Sequence, residues 1–201
     1  MKPVKVVVVI FLLLTSVVQS QAFDAAKSKA AQDKLDSEYA NPAESPLEEK
    51  DLKTFHGLDF FPVSGDYYII AKFKRTESES PFEMKTSTKR RPMYVKYGEV
   101  EFSIDGKTCK LNVYRNIELS KKEEYKDHLF LPFRDDTNGE ETYAGGRYID
   151  LKIPSGNTMV IDFNEAYNPY CAYNHKYSCP IVPSENILEV AIRAGVKKFH
   201  D

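Results

Sequence analysis

Two stretches hold most of the side chains able to do chemistry. The first, "LPFRDDTNGEETYAGGRYIDL" (131–151), sets Arg134, Asp135, Thr137, Glu141, Tyr143, Arg147 and Asp150 around three glycines. Glycines open backbone conformations closed to other residues and let a ligand approach closely. The second, "IDFNEAYNPYCAYNHKYSCP" (161–180), adds Asp162, Asn164, Tyr167, Asn168, Tyr173 and Asn174, with Cys171, His175 and Cys179 among them. Paired carboxylates can raise one another's pKa and act as acid and base, or hold a hard cation. On residue types alone, a buried network in which Arg147 neutralises acids and asparagines satisfy turns is slightly preferred.

No known catalytic spelling is present: no nucleophile elbow, phosphate loop, His-Glu-x-x-His or dinucleotide glycine fingerprint. None of His56, His128, His175 and His200 neighbours an obvious nucleophile. Cys171, His175 and Cys179 are spaced at four and four, so on a helix they share one face, as zinc ligands do. The same helix holds the two cysteines about 12 Å apart, too far for a disulfide. A disulfide therefore needs a loop that turns back on itself. In an exported protein the order of preference is disulfide, separate thiols, then metal, and no metal is expected.

The elements that must position these groups are legible from periodicity. Asp24 caps a polar, alanine-rich helix whose apolar stripe is Ala26, Ala30, Leu35 and Tyr39. Ser45, Pro46 and Glu48 carry the spacing of a capping box, which predicts a second short helix from Pro46 to Lys53. From residue 65 the period becomes two. "MYVKYGEVEFSI-DG-KTCKLNVYRN" is a hairpin on a type I′ turn, pairing Phe102 with Cys109, Val100 with Leu111 and Glu101 with Lys110. This register gathers apolar residues on one face and makes Cys109 a buried free thiol. "RYIDLKI-PSGN-TMVIDFN" reads as a second hairpin, which brings Asp150 and Asp162 together beside Tyr148. "ENILEVAIRAG" reads as a closing strand. The basic "KTSTKRRP" (85–92) reads as a solvated hairpin loop. The class is mainly β: an antiparallel barrel or sandwich with one or two N-terminal helices.

Length fits one domain, residues 23–201. Residues 1–22 pass from basic to apolar to small and read as a cleaved secretory signal peptide, so the chain is expected to be exported, periplasmic or secreted, with no membrane segment after cleavage. Removing Lys2 and Lys5 with that leader moves the formal charge from −2 to −4. A mildly acidic chain is a poor partner for nucleic acid. Three cysteines in an exported chain allow one internal pair and leave one thiol.

Long stretches resemble the domain-of-unknown-function 1684 family: "SPL", "FHGLDFFPV", "LPFRDDTNGEETYAGGRYIDL", "IDFNEAYNPYCAYNHKYSCP" and "ENILEVAIRAGVKKF". The resemblance covers roughly residues 24–200. "AGGRY" and "IVPSEN" are small variants of the family spelling, "AGVKKF" has valine where glutamate is commoner, and the resemblance does not fix histidine at 175. It points to no particular activity and leaves the cofactor unknown, but it directs attention to the polar residues already named. Three functional readings follow. The first is a small polar ligand in a pocket formed by segments 134–150 and 162–179, with acids setting its electrostatics and tyrosines its walls. The second is a hydrolase using Asp150 and Asp162 with Arg147. The third is a purely structural network.

Overall fold

The computed structural model describes residues 22–200; the leader read at 1–22 lies, but for Ala22, outside them. Helix α1 (Ala25–Ala40) starts where expected, with the Asp24 carboxylate accepting from Ala26 N at 3.0 Å and Lys27 N at 3.4 Å. Its docking face differs from the alanine stripe. Ser28, Gln32 and Tyr39 are buried, Leu35 is half-buried, and Ala26 and Ala30 are exposed. These residues recur at helical spacing; the surface beneath Ser28 and Gln32 is polar, while Leu35 and Tyr39 pack into an apolar cluster with Leu47 and Tyr173. Helix α2 (Glu49–Leu52) is shorter than expected and begins three residues late. Glu48 is extended, and Leu47 is buried against Tyr39 and Tyr173. The Ser45 hydroxyl caps a turn instead, accepting from Leu47 N at 3.3 Å.

Among the described residues seven strands follow: β1 (Tyr68–Arg75), β2 (Phe82–Glu83), β3 (Met93–Ile104), β4 (Lys107–Asn116), β5 (His128–Phe133), β6 (Arg147–Lys152) and β7 (Thr158–Asp162). They form one antiparallel sheet in the order β6-β5-β4-β3-β1-β7, with β2 also paired to β3. The β3–β4 hairpin has the expected register, including Phe102 opposite Cys109 and Val100 opposite Leu111. Asp105 and Gly106 both have positive φ (51° and 74°), as a type I′ turn requires. Glu101 and Lys110 meet at 2.9 Å, and Cys109 is buried. The basic loop 85–92 is largely exposed between β2 and β3.

The sheet curls into a half-barrel. Its concave face packs Val100, Phe102, Leu111, Leu131, Ile149 and Ile161 into one core. The convex side of β3–β6 carries a second, aromatic cluster of Tyr94, Tyr114, Phe130 and Tyr148, with Met84 and Val182.

Two expectations need correction. Strands β6 and β7 do not form a hairpin: β6 pairs with β5 over six residue pairs and β7 with β1 over five, so they are opposite edges of the sheet. Curling brings those edges near enough for residues 153–157 to cross between them, while each strand spends its ladder on a better-matched neighbour. The segment 187–196 is not a ladder strand; it makes only isolated bridges, at Ile187 and Val196. Leu188, Val190, Ile192, Ala194 and Val196 alternate into the core, yet their backbone bonds go to loops and side chains. Strand β5 has no counterpart in the periodic reading, whereas β2 is the strand that the hairpin loop at 85–92 requires before it. β5 contains Pro132, and its run "HLFLPF" is apolar on both faces, which hides its period.

Candidate functional site

The acids, asparagines and tyrosines singled out above fall into separate places. Arg147 lies on the concave face with Ile149 and Leu151, completely buried. Its Nη2 donates to Asp135 Oδ2 at 2.8 Å and to the Ile192 carbonyl at 2.8 Å, and its Nη1 donates to the Ala194 carbonyl. Asp135 Oδ1 accepts from Ile192 N at 3.1 Å and from the Thr137 amide and hydroxyl at 2.9 and 2.6 Å. Thr137 in turn shares a bond with Thr142 at 2.8 Å. Burial pushes the Arg147 pKa down, and Asp135 opposes that shift. Gly146, at φ 93°, makes the entry to β6 possible: an added Cβ there would stand 2.6 Å from the Phe133 carbonyl. This group ties the 187–196 segment across the barrel end. Arg134 is exposed, and Glu141 pairs on the surface with Arg193 at 3.0 Å.

A second group anchors α1. Ser28 Oγ donates to Asp162 Oδ2 at 2.5 Å, Gln32 Nε2 donates to the Asn164 carbonyl at 2.9 Å, and Asp162 Oδ1 accepts from Asn164 Nδ2 at 2.7 Å. A third is buried beside it: Asn168 Nδ2 donates to the Lys197 carbonyl at 2.9 Å and to Tyr173 OH at 3.2 Å, with Tyr39 stacked edge-on to Tyr173. Asn174 caps a turn, its Oδ1 accepting from Lys176 N at 3.1 Å. Asp162 therefore does not meet Asp150. One sits under α1, the other on the convex side of the opposite sheet edge, and Arg147 faces the concave side. The acid–base pair proposed from the hairpin register does not form, because the hairpin does not.

Around Asp150 there is a cavity, a groove of about 590 Å³. Gln32, Leu35 and Glu38 of α1 form one wall, Phe130 and Tyr148 of the convex sheet face another, and Asn164, Glu165, Tyr167 and Tyr170 with Ser178 to Pro180 a third. Asp150 holds two partners at once: Oδ1 shares a 2.9 Å hydrogen bond with His128 Nε2, and Oδ2 accepts from Tyr167 OH at 3.0 Å. His128 and Asp150 are diagonal neighbours across the β5–β6 ladder, where His128 faces Lys152 and Phe130 faces Asp150. Tyr167 is brought in by the chain after β7, which pairs with β6 through reciprocal Tyr148–Tyr167 backbone bonds of 2.9 and 3.0 Å. Burial, then the Asp150 charge, push the Tyr167 hydroxyl well above its ordinary pKa, so it stays protonated as a donor. Tyr125 stands edge-on to His128, and Tyr148 edge-on to both Phe130 and Tyr167. Glu165 also faces the groove; its pKa is raised by burial and by Asp162.

Of the expected site residues, the groove thus collects Asp150, Asn164, Tyr167 and Cys179. It adds His128, Tyr148, Glu165 and the α1 wall. The signal for His128 was its position two residues before Phe130 on a strand partnered with β6, visible only once β5 is recognised.

At the groove rim the loop 171–179 turns back on itself. It is not a helix; only a 3₁₀ turn (Tyr170–Ala172) begins it, so the shared helical face for Cys171, His175 and Cys179 does not arise. His175 is exposed. Cys171 and Cys179 are both thiols, and Cys171 N donates to Cys179 Sγ at 3.1 Å. The Tyr143 hydroxyl lies 3.9 Å from Cys171 Sγ.

A family model described as "Protein of unknown function (DUF1684)" matches residues 53–197. No curated protein matches the chain. Among solved structures it is similar to the solution NMR structure of an uncharacterized protein from gene locus rrnAC0354 of Haloarcula marismortui. That match has 32% identity and a TM-score of 0.67, over 86% of this chain and 92% of the other.

Proposed function

Because the chain belongs to the DUF1684 family of proteins of unknown function, we propose a function from its own geometry: it binds a small organic molecule carrying an amine or other donor group in the groove beneath α1. The observation that carries this is Asp150, a carboxylate held by His128 and Tyr167 at the edge of an aromatic-walled cavity. Its volume lies within the range of about 300–1,000 Å³ usual for small-molecule sites. Three carboxylates, Glu38, Asp150 and Glu165, face it against one lysine, Lys34. Aromatic faces add attraction for a cation. The Arg147 and Asp162 groups serve instead as struts, one fixing the barrel end and one fixing the helix that walls the groove.

We also propose that the protein works outside the cytoplasm, on the strength of the leader-like residues 1–22 and the juxtaposed thiols.

A thermal-shift screen of residues 23–201 tests the binding. Small amines should raise Tm, since a ligand that binds only the folded state stabilises it by mass action, and matched carboxylates should not. Asp150→Asn should remove the amine response while leaving the ligand-free Tm nearly unchanged, because that side chain is 53% exposed. Equal stabilisation by amines and carboxylates, or by no compound, sinks the reading.

A further inference from the structure

The groove reading leaves the cysteines unused, although their arrangement is the more unusual feature of the loop. Three observations bear on them. First, the sequence separates Cys171 from Cys179, and the fold returns them to each other, with Cys179 Sγ accepting the Cys171 amide at 3.1 Å. Second, access is unequal: Cys171 is partly exposed, and Cys179 is buried. Third, the return of the loop is braced from outside. Ser87 N donates to the Cys179 carbonyl at 2.9 Å, Cys179 N donates to Ser87 Oγ at 3.1 Å, and Arg90 Nη2 donates to the Ser178 carbonyl at 2.6 Å. The 84–92 loop thereby holds the second sulfur in place and sets a guanidinium beside it.

We propose that Cys171 and Cys179 are a dithiol–disulfide exchange pair, with Cys171 the attacking thiolate, Cys179 the resolving thiol and a small aliphatic disulfide the oxidant. The Cys171 thiolate attacks one sulfur of RS–SR, forming a Cys171–S–SR mixed disulfide and releasing RS⁻. Cys179 then loses its proton and attacks the Cys171 sulfur. The Cys171–Cys179 bond forms, the second RS⁻ leaves, and two electrons have passed from the pair to the oxidant, giving two RSH once both leaving groups are protonated.

The electrostatics favour this order. Hydrogen bonding from the Cys179 thiol lowers the Cys171 pKa to about 6, with smaller help from Tyr143 and Ser87. The same shared proton, then burial, push Cys179 up. A low-pKa accessible thiol beside a protonated partner has the arrangement of an attacking and a resolving cysteine. Once Cys171 is in a mixed disulfide it no longer holds that proton, so Cys179 becomes easier to deprotonate at the step that needs it. Cys109 takes no part: it is buried on the concave face.

The test uses residues 23–201 in three forms, with iodoacetamide and glutathione disulfide as probes. In the parent, alkylation should be confined to Cys171 and half-maximal near pH 6, and Cys179→Ala should move that midpoint up by about one unit or more. With glutathione disulfide, the parent should give a Cys171–Cys179 bond by mass spectrometry, reversed by reduced glutathione. Cys179→Ala should trap glutathione on Cys171, and Cys171→Ala should take up none on Cys179. Adducts forming first on Cys179, thiols left free under excess glutathione disulfide, or a bond that reduced glutathione cannot open in the folded protein would each overturn the proposal; the last would mark a structural staple. None of these readouts depends on a groove ligand.

Discussion

Arg147 shows how one side chain can look catalytic in sequence and be structural in space. Glycines, acids and a tyrosine surround it along the chain, as they would in an anion site. Counting by twos from Ile149 and Leu151 places it on the core face, and places Asp150 on the other. The period was therefore enough to separate those two residues; what it could not show was the partner, since Ile192 and Ala194 lie far along the chain. Breaking a buried ion pair costs about 3–5 kcal/mol because the remaining charge is left without compensation. Arg147→Met should lose on the order of that amount in urea unfolding. Replacing both charges often restores stability elsewhere, but here the guanidinium also serves the Ile192 and Ala194 carbonyls. Asp135→Leu/Arg147→Met should consequently remain unstable by several kcal/mol. Full recovery in that double variant would reduce the cluster to an ordinary ion pair and remove its role as a strap.

Among the elements, α1 was the easiest to find and the hardest to dock. Its cap at Asp24 follows from residue type, but the face it buries is chosen by what lies beneath. Ser28 and Gln32 are unremarkable in a polar helix until Asp162 and the Asn164 carbonyl are placed under them. The β3–β4 hairpin is the opposite case, since a two-residue Asp-Gly turn fixes every pairing after it, local sequence alone being sufficient. The β6–β7 hairpin does not form because the turn-like "PSGN" does not set the pairing; the curl of the whole sheet decides it. Ser28→Ala should leave Asp162 Oδ2 short of a donor at a buried site, a loss of about 1–3 kcal/mol. Since β3 and β4 do not touch that contact, amide exchange should quicken in α1 well before it does in the hairpin. A uniform rise across both elements would mean that α1 and the sheet unfold together and that the anchor is not local.

At the scale of the molecule, a half-barrel has an unsolved problem: its concave apolar face needs a cover. Alternation in "ENILEVAIRAG" was legible and its burial correctly implied, but alternation does not say whether a segment joins a ladder or crosses an open end. Here it crosses, because the Arg147–Asp135 pair takes up backbone groups that a neighbouring strand would otherwise bind. Leu188, Val190, Ile192 and Val196 are each at most 5% exposed. Fully burying a side chain of this size contributes about 1.5–3 kcal/mol, so the four together supply roughly 6–12 kcal/mol. That is comparable with the whole net stability of an ordinary domain, about 5–15 kcal/mol. The segment must then belong to the folding unit rather than decorate it. A chain ending at Asn186 should fail to give a cooperative melt by near-ultraviolet circular dichroism, even though all seven strands remain in it. The isolated substitution Ile187→Ser, at a side chain 50% exposed on the same segment, should change Tm little. A cooperative melt from the shortened chain, within a few degrees of the parent, would show that the curled sheet closes on itself and that the 187–196 crossing is dispensable.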